Sequence, residues 1–203
     1  MKRTSLIRLG GLAAIVGSVA YATLGLVAQV GWRWQLNLPE VIQFGYYRLE
    51  PLFLLCVMAA MAVLHFLQRE HYASYFGSLP RPHAGRLLGA LVFLLAFGGV
   101  AMILVERLSP LVGPEAVTPF WLFFIGLLVA TMGIISYGVL TIGTGVMPWW
   151  CGVAIMAGSP LSSFVLYLFG DLEWLLGVPW ALVGYAIFRT VAGQREEQPL
   201  RVR

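Results

Sequence analysis

Charged side chains are scarce in this chain. Asp, Glu, Lys and Arg together make 11% of its 203 residues, against about a quarter in an ordinary soluble domain. So little charge excludes a normally solvated surface over a core of this size. Cysteine is nearly missing as well. Cys56 and Cys151 stand far apart inside apolar runs with no CxxC spacing, which excludes a disulfide framework and leaves two small packing residues. No basic run is dense enough for nucleic acid, so no nucleic-acid partner is expected. The three histidines, His65, His71 and His83, form no metal-ligand spacing. His65 alone falls in an apolar run, where it reads as an interfacial side chain rather than a haem ligand. No serine sits in a GxSxG motif. No catalytic residue, metal or cofactor is therefore expected, and a non-enzymatic protein is the favoured class.

What the chain has in abundance is apolar side chains: 60% of residues, with mean hydropathy +0.84. A spanning helix needs about 20 mostly apolar residues, and six runs qualify or nearly so: 9–30, 51–68, 86–105, 119–141, 147–169 and 174–190. Ala20-Tyr21-Ala22 resembles a signal-peptidase site, but the apolar run continues to Val30 and suits a retained helix. The expected fold is all-α: one polytopic membrane bundle of six transmembrane helices over residues 1–192, followed by a polar cytoplasmic tail at 193–203. Basic residues set its orientation. Lys2, Arg3, Arg8, Arg69, Arg81, Arg86, Arg189, Arg195, Arg201 and Arg203 fall on one side, and only Arg33, Arg48 and Arg107 on the other. The positive-inside rule puts the first set, and with it both termini, in the cytoplasm.

Helix starts follow from proline and acid placement. Pro51, Pro119 and Pro148 are expected to open the second, fourth and fifth helices, because a first-turn proline lacks only an N–H that would be unpaired anyway. Asp171 and Glu173 suit the positive end of the sixth. Trp32, Trp34, Trp121 and Trp174 mark one interface and Trp149 and Trp150 the other; Trp180 lies inside the sixth run without an account. Residues 31–50 are too apolar for a free loop. Asn37 with Glu40 three residues on suggests an interfacial helix there.

The most informative interruption is A-G-S-P-L-S-S at 157–163, midway along the fifth run. Pro160 removes a backbone donor and clashes with the preceding turn. Freed carbonyls at membrane depth are tolerated only inside protein or beside a wet cavity. Ser159, Pro160, Ser162, Ser163 and Tyr167 are therefore the candidate ligand-binding residues, lining an outward cavity beneath the 31–50 segment; a simple kink with self-bonded serines is the competing expectation. Small-xxx-small pairs such as Ala14-xxx-Ser18 and Gly126-xxx-Ala130 predict close helix packing within the chain first and contacts between copies second.

The stretch from Gly126 to Gly158, a helix ending in a Gly-rich turn followed by Val146-Met147-Pro148-Trp149 and a new helix, resembles uncharacterised multi-span membrane proteins of bacteria. The opening R-L-G-G-L-A-A-I-V-G is similar to such proteins too. The resemblance implies a multi-pass protein of the bacterial inner membrane and carries no activity with it. The functional expectation is an accessory or assembly subunit, or a binder of an apolar ligand, with membrane lipid, a protein partner or a second copy as its company. A small transporter of a neutral or hydrophobic solute is the alternative, and a membrane enzyme with an interfacial site comes third.

Overall fold

The computed structural model describes the backbone of residues 3–34, 40–77, 82–112, 120–169 and 172–196, and the side chains of 5–34, 49–77, 83–109, 121–166, 168–169 and 172–190. All its regular structure is helical: α1 (Arg3–Arg33), α2 (Glu40–Gln68), α3 (Tyr72–Tyr75), α4 (Pro82–Val112), α5 (Phe120–Thr144), α6 (Trp149–Ala157), α7 (Pro160–Leu168), a 3₁₀ turn (Glu173–Leu176) and α8 (Gly177–Glu196). Four helices are long and apolar enough to cross a membrane. Their candidate spans are Ser5–Arg33, Leu49–Gln68, His83–Ser109 and Trp121–Thr144. The pair α6 and α7 makes a fifth if its two halves, bent by 58°, count as one crossing. α8 is not among them, since Arg189, Arg195 and Glu196 occupy its last turns and its apolar part from Gly177 to Phe188 rises only about 18 Å.

Successive long helices run antiparallel, as their contacts show. Tyr21 of α1 stacks on Phe53 of α2 with ring centroids 4.3 Å apart, while Gly10, further back on α1, meets Val63, further on along α2. His65 of α2 stacks on Phe93 of α4 at 4.2 Å, while Glu50 pairs with Arg107. α4 and α5 make the most extensive pairing, and glycine is the reason. A methyl added to Gly99 would strike the backbone of Ala130, and one added to Gly133 would strike the backbone of Ala96. α1 and α8 close the bundle the same way through Gly11 and Gly184. These small residues let backbones approach within van der Waals reach, which is how helices bind one another in lipid. The left-handed Gly145, at φ 64°, turns the chain from α5 into α6.

Two starts differ from the sequence reading. Pro51 does not open the second helix; it is buried inside α2, which begins at Glu40. Within 31–50, the stretch expected to form a separate surface helix, residues 31–33 belong to α1 and 40–50 to α2, and 35–39 lie outside the described residues. A proline inside a helix costs one hydrogen bond and a steric clash, but membrane helices absorb it where neighbours enclose the freed groups. Pro148 is the N-cap of α6, next to the expected start. Asn37, Pro80, Arg81, Pro119, Asp171 and the tail beyond 196 lie outside the described residues.

Candidate functional site

The break in the fifth run is real, and Trp180 organises it. Gly158 caps α6 and donates its N–H to the carbonyl of Ala154 at 2.9 Å. Its own carbonyl has lost its helical partner, because the next turn restarts at Pro160 with Ser162 N–H donating to the Ser159 carbonyl at 3.0 Å. The indole Nε1 of buried Trp180 donates to that orphan carbonyl at 3.0 Å. A side chain on Gly158 would collide with the same indole. The freed carbonyl is thus satisfied by α8, from a residue 22 positions on in sequence, and not by the neighbouring serines.

The serines separate. Ser159 is buried in the core, Ser163 is half-buried, and Ser162 faces a groove of ≈ 500 Å³ between α7 and the start of α8. Leu161, Val165, Leu166, Leu175 and Pro179 supply most of its wall. Of the five sequence candidates, then, only Ser162 lines this groove; Pro160 is half-buried at the restart of the helix, and the side chain of Tyr167 lies outside the described residues. Of the 31–50 segment expected to roof it, residues 35–39 lie outside the described residues. Among the described residues the groove is apolar with one hydroxyl, a chemistry that suits a hydrocarbon-like ligand or lipid chain.

A second, more polar place lies at the opposite end of the bundle, where α2, α3, α4 and α5 meet. Buried Gln68 donates through Nε2 to Thr141 Oγ1 at 3.1 Å, and Thr141 donates to the Tyr137 carbonyl at 2.9 Å. The Tyr137 hydroxyl, fully enclosed, donates to the Met61 carbonyl at 3.5 Å and is hydrogen-bonded with Tyr72. Tyr72 in turn lies 3.1 Å from His65 Nδ1. With Nδ1 engaged by Tyr72, Nε2 is the His65 ring nitrogen left for another partner. Burial pushes the Tyr72 hydroxyl up to about 12, partly offset by the bond from Tyr137, so Tyr72 stays a neutral donor. Beside this chain opens a recess of ≈ 550 Å³ lined by His65, Arg69, Glu70, Tyr72, Arg86 and Ala90. Arg69 lies over the Phe66 ring, 4.4 Å from its centroid.

At the end that holds Trp174, Arg107 Nε pairs with Glu50 at 3.0 Å across α2 and α4 and with Glu106 at 3.5 Å. Its guanidinium also stands 5.4 Å from the Phe123 ring centroid, and Glu173 acts on Glu50 from the 3₁₀ turn. Both partners are partly exposed, so the pair staples helix ends and contributes at most about 1 kcal/mol. Trp174 donates to Gln29 at 2.6 Å beside it.

Scans of family models, curated proteins and solved structures found no match to this chain. Function therefore has to be argued from these sites. Sequence reasoning named the break at 157–163 but missed Trp180, and it set His65 aside without Tyr72 and Tyr137. Polar residues within apolar runs, such as Gln68, Tyr137 and Thr141, were the available signal. Their sequence separation hid that they form one network.

Proposed function

We propose that the chain is a non-enzymatic inner-membrane protein of a bacterium that binds an apolar ligand in the groove between α7 and α8. In this reading it crosses the bilayer six times with both termini in the cytoplasm. The observation that carries the binding role is the groove beside Ser162, an apolar wall with one hydroxyl among the described residues to orient a ligand. What supports a quiet interior is that its larger buried polar groups are spent on one another, Gln68 on Thr141, Tyr137 on Tyr72 and Met61, Trp180 on Gly158, while the small Ser18 hydroxyl is buried without a partner. Buried polar groups already paired hold helices together rather than leaving a route for a solute. The six-crossing path gains support from the antiparallel pairing of α8 with α1 and from the 3₁₀ turn that lengthens its apolar approach.

Native mass spectrometry of the purified protein in nanodiscs tests the role. Replacing Ser162 with Trp fills the groove and is expected to abolish a retained apolar ligand while leaving the protein folded. Retention unchanged in S162W overturns the groove as the site. A protein partner co-purifying at fixed stoichiometry instead moves the assignment to an accessory subunit, and solute flux through liposomes containing this chain alone moves it to transport.

A further inference from the structure

The recess at the α2–α3–α4 end is a different site from the groove, and its chemistry is different. Two guanidinium groups, Arg69 after the end of α2 and Arg86 in the second turn of α4, line one concavity with a single carboxylate, Glu70. Neither arginine has a carboxylate within ion-pairing distance among the described residues, whereas Arg107 at the far end has two. Orientation in the membrane explains a basic residue in either loop. It does not explain why both should converge on His65, whose ring is clamped from two sides. Phe93 stacks on it at 4.2 Å, and Tyr72 holds Nδ1. Tyr72 occupies Nδ1 and leaves Nε2 as the ring nitrogen that can serve a ligand. Gly85 and Gly89 bring α4 directly onto Tyr72 and its neighbours, where a methyl on Gly89 would strike the Tyr72 ring and one on Gly85 would press on the Tyr72 carbonyl and Phe76. This close approach holds Arg86 beside Arg69.

We propose that this recess binds a phosphate-type oxyanion, gripped by Arg69 and Arg86 and oriented by His65 Nε2–H. Planar guanidinium groups match phosphate oxygens two at a time, and an imidazole N–H on a ring held by Phe93 and Tyr72 adds direction. The apolar walls of α2 and α4 rise directly above, so a lipid headgroup could enter with its chains alongside the helices. Basic pockets between helices at a membrane surface are suited to such headgroups. A soluble phosphoryl group presents the same oxygens.

Full-length protein in phosphatidylcholine nanodiscs carrying a minority of phosphatidic acid tests this, with bound phosphatidic acid counted by native mass spectrometry. A parallel arm titrates inorganic phosphate and reads thermal stability. Arg69→Gln with Arg86→Gln is expected to lower occupancy roughly tenfold or more in the arm that responds, and His65→Phe, which keeps the stack on Phe93, to lower it less. Arg33→Gln, at the other end of the bundle, leaves it unchanged. A response to phosphatidic acid alone assigns a lipid headgroup, and a response to inorganic phosphate alone assigns a soluble ligand. Equal retention by wild type and the double Gln variant overturns the site, as does an equal loss in R33Q, which would mean diffuse attraction. Should the double Gln variant not fold, Arg69→Lys with Arg86→Lys decides: charge is kept but the two-pronged geometry is lost, so partial loss supports the site and full retention overturns it.

Discussion

Trp180 is the residue on which the fifth segment depends. Its indole donates to the Gly158 carbonyl, which the break before Pro160 leaves without a helical partner, and a buried carbonyl that loses its donor goes unsatisfied. Trp180→Phe keeps most of the ring and removes the donor. Expected is a loss of about 1–2 kcal/mol, read as a lower midpoint in thermal unfolding by circular dichroism in detergent; a W180F protein as stable as wild type would refute the latch. Tyr72 supports a second test at this scale. Its folded-state value of about 12 lies above the ordinary 10, so the folded protein keeps a proton that the unfolded chain releases. The resulting stability is fully present below pH 10 and disappears as pH climbs towards about 12. Wild type should therefore lose stability across that window by up to about 1.4 kcal/mol per pH unit more than Tyr72→Phe. Parallel curves for the two proteins would count against it.

Among the elements, α4 and α5 set the tightest constraint. Gly99 faces the backbone of Ala130 and Gly133 that of Ala96, so neither neighbour can yield by rotating a side chain. Gly99→Val should push the helices apart at a cost of about 1–3 kcal/mol. The matching substitution Gly98→Val meets open space and should cost far less. The comparison, by unfolding in detergent, separates close packing from the general penalty of a β-branched residue in a helix; equal losses would sink the packing account. α7 sits at the other extreme. It meets the rest of the bundle mainly through the 3₁₀ turn and α5, which is why a groove survives along its flank.

For the molecule as a whole, the environment decides what counts as a core. In the most apolar window of each candidate span only 28–33% is buried inside the protein. Leu9, Leu12, Val16 and Val19 point outward along α1, while Gly11, Ala14, Ser18 and Tyr21 point in. Such a surface is stable against hydrocarbon and not against water. The proposed orientation can be checked in intact cells after Cys56 and Cys151 are replaced by Ala. A cysteine at exposed His71 should resist a membrane-impermeant maleimide until the cells are opened, and one at exposed Trp32 should react at once. Labelling of position 71 from outside would reverse the topology.

Composition alone determined that this is an all-helical protein made for an apolar surround. Apolar runs the length of a bilayer, with charge confined to their ends, leave the backbone no other way to satisfy itself in lipid. The break at 157–163 was legible too, because Pro160 cannot continue a helix in ordinary geometry wherever it folds. Pro51 shows the limit of that rule: whether a proline opens a helix or sits within it depends on what encloses the freed carbonyl, and that is supplied by other segments. Trp180 and Gly158, His65 and Tyr72, and Gln68 and Thr141 are likewise paired only by packing. Hydrophobic periodicity says which face of a helix is buried but not which neighbour it meets. Tertiary structure alone therefore sent Ser159 into the core and Ser162 to the groove, and brought two arginines from separate helices to one recess.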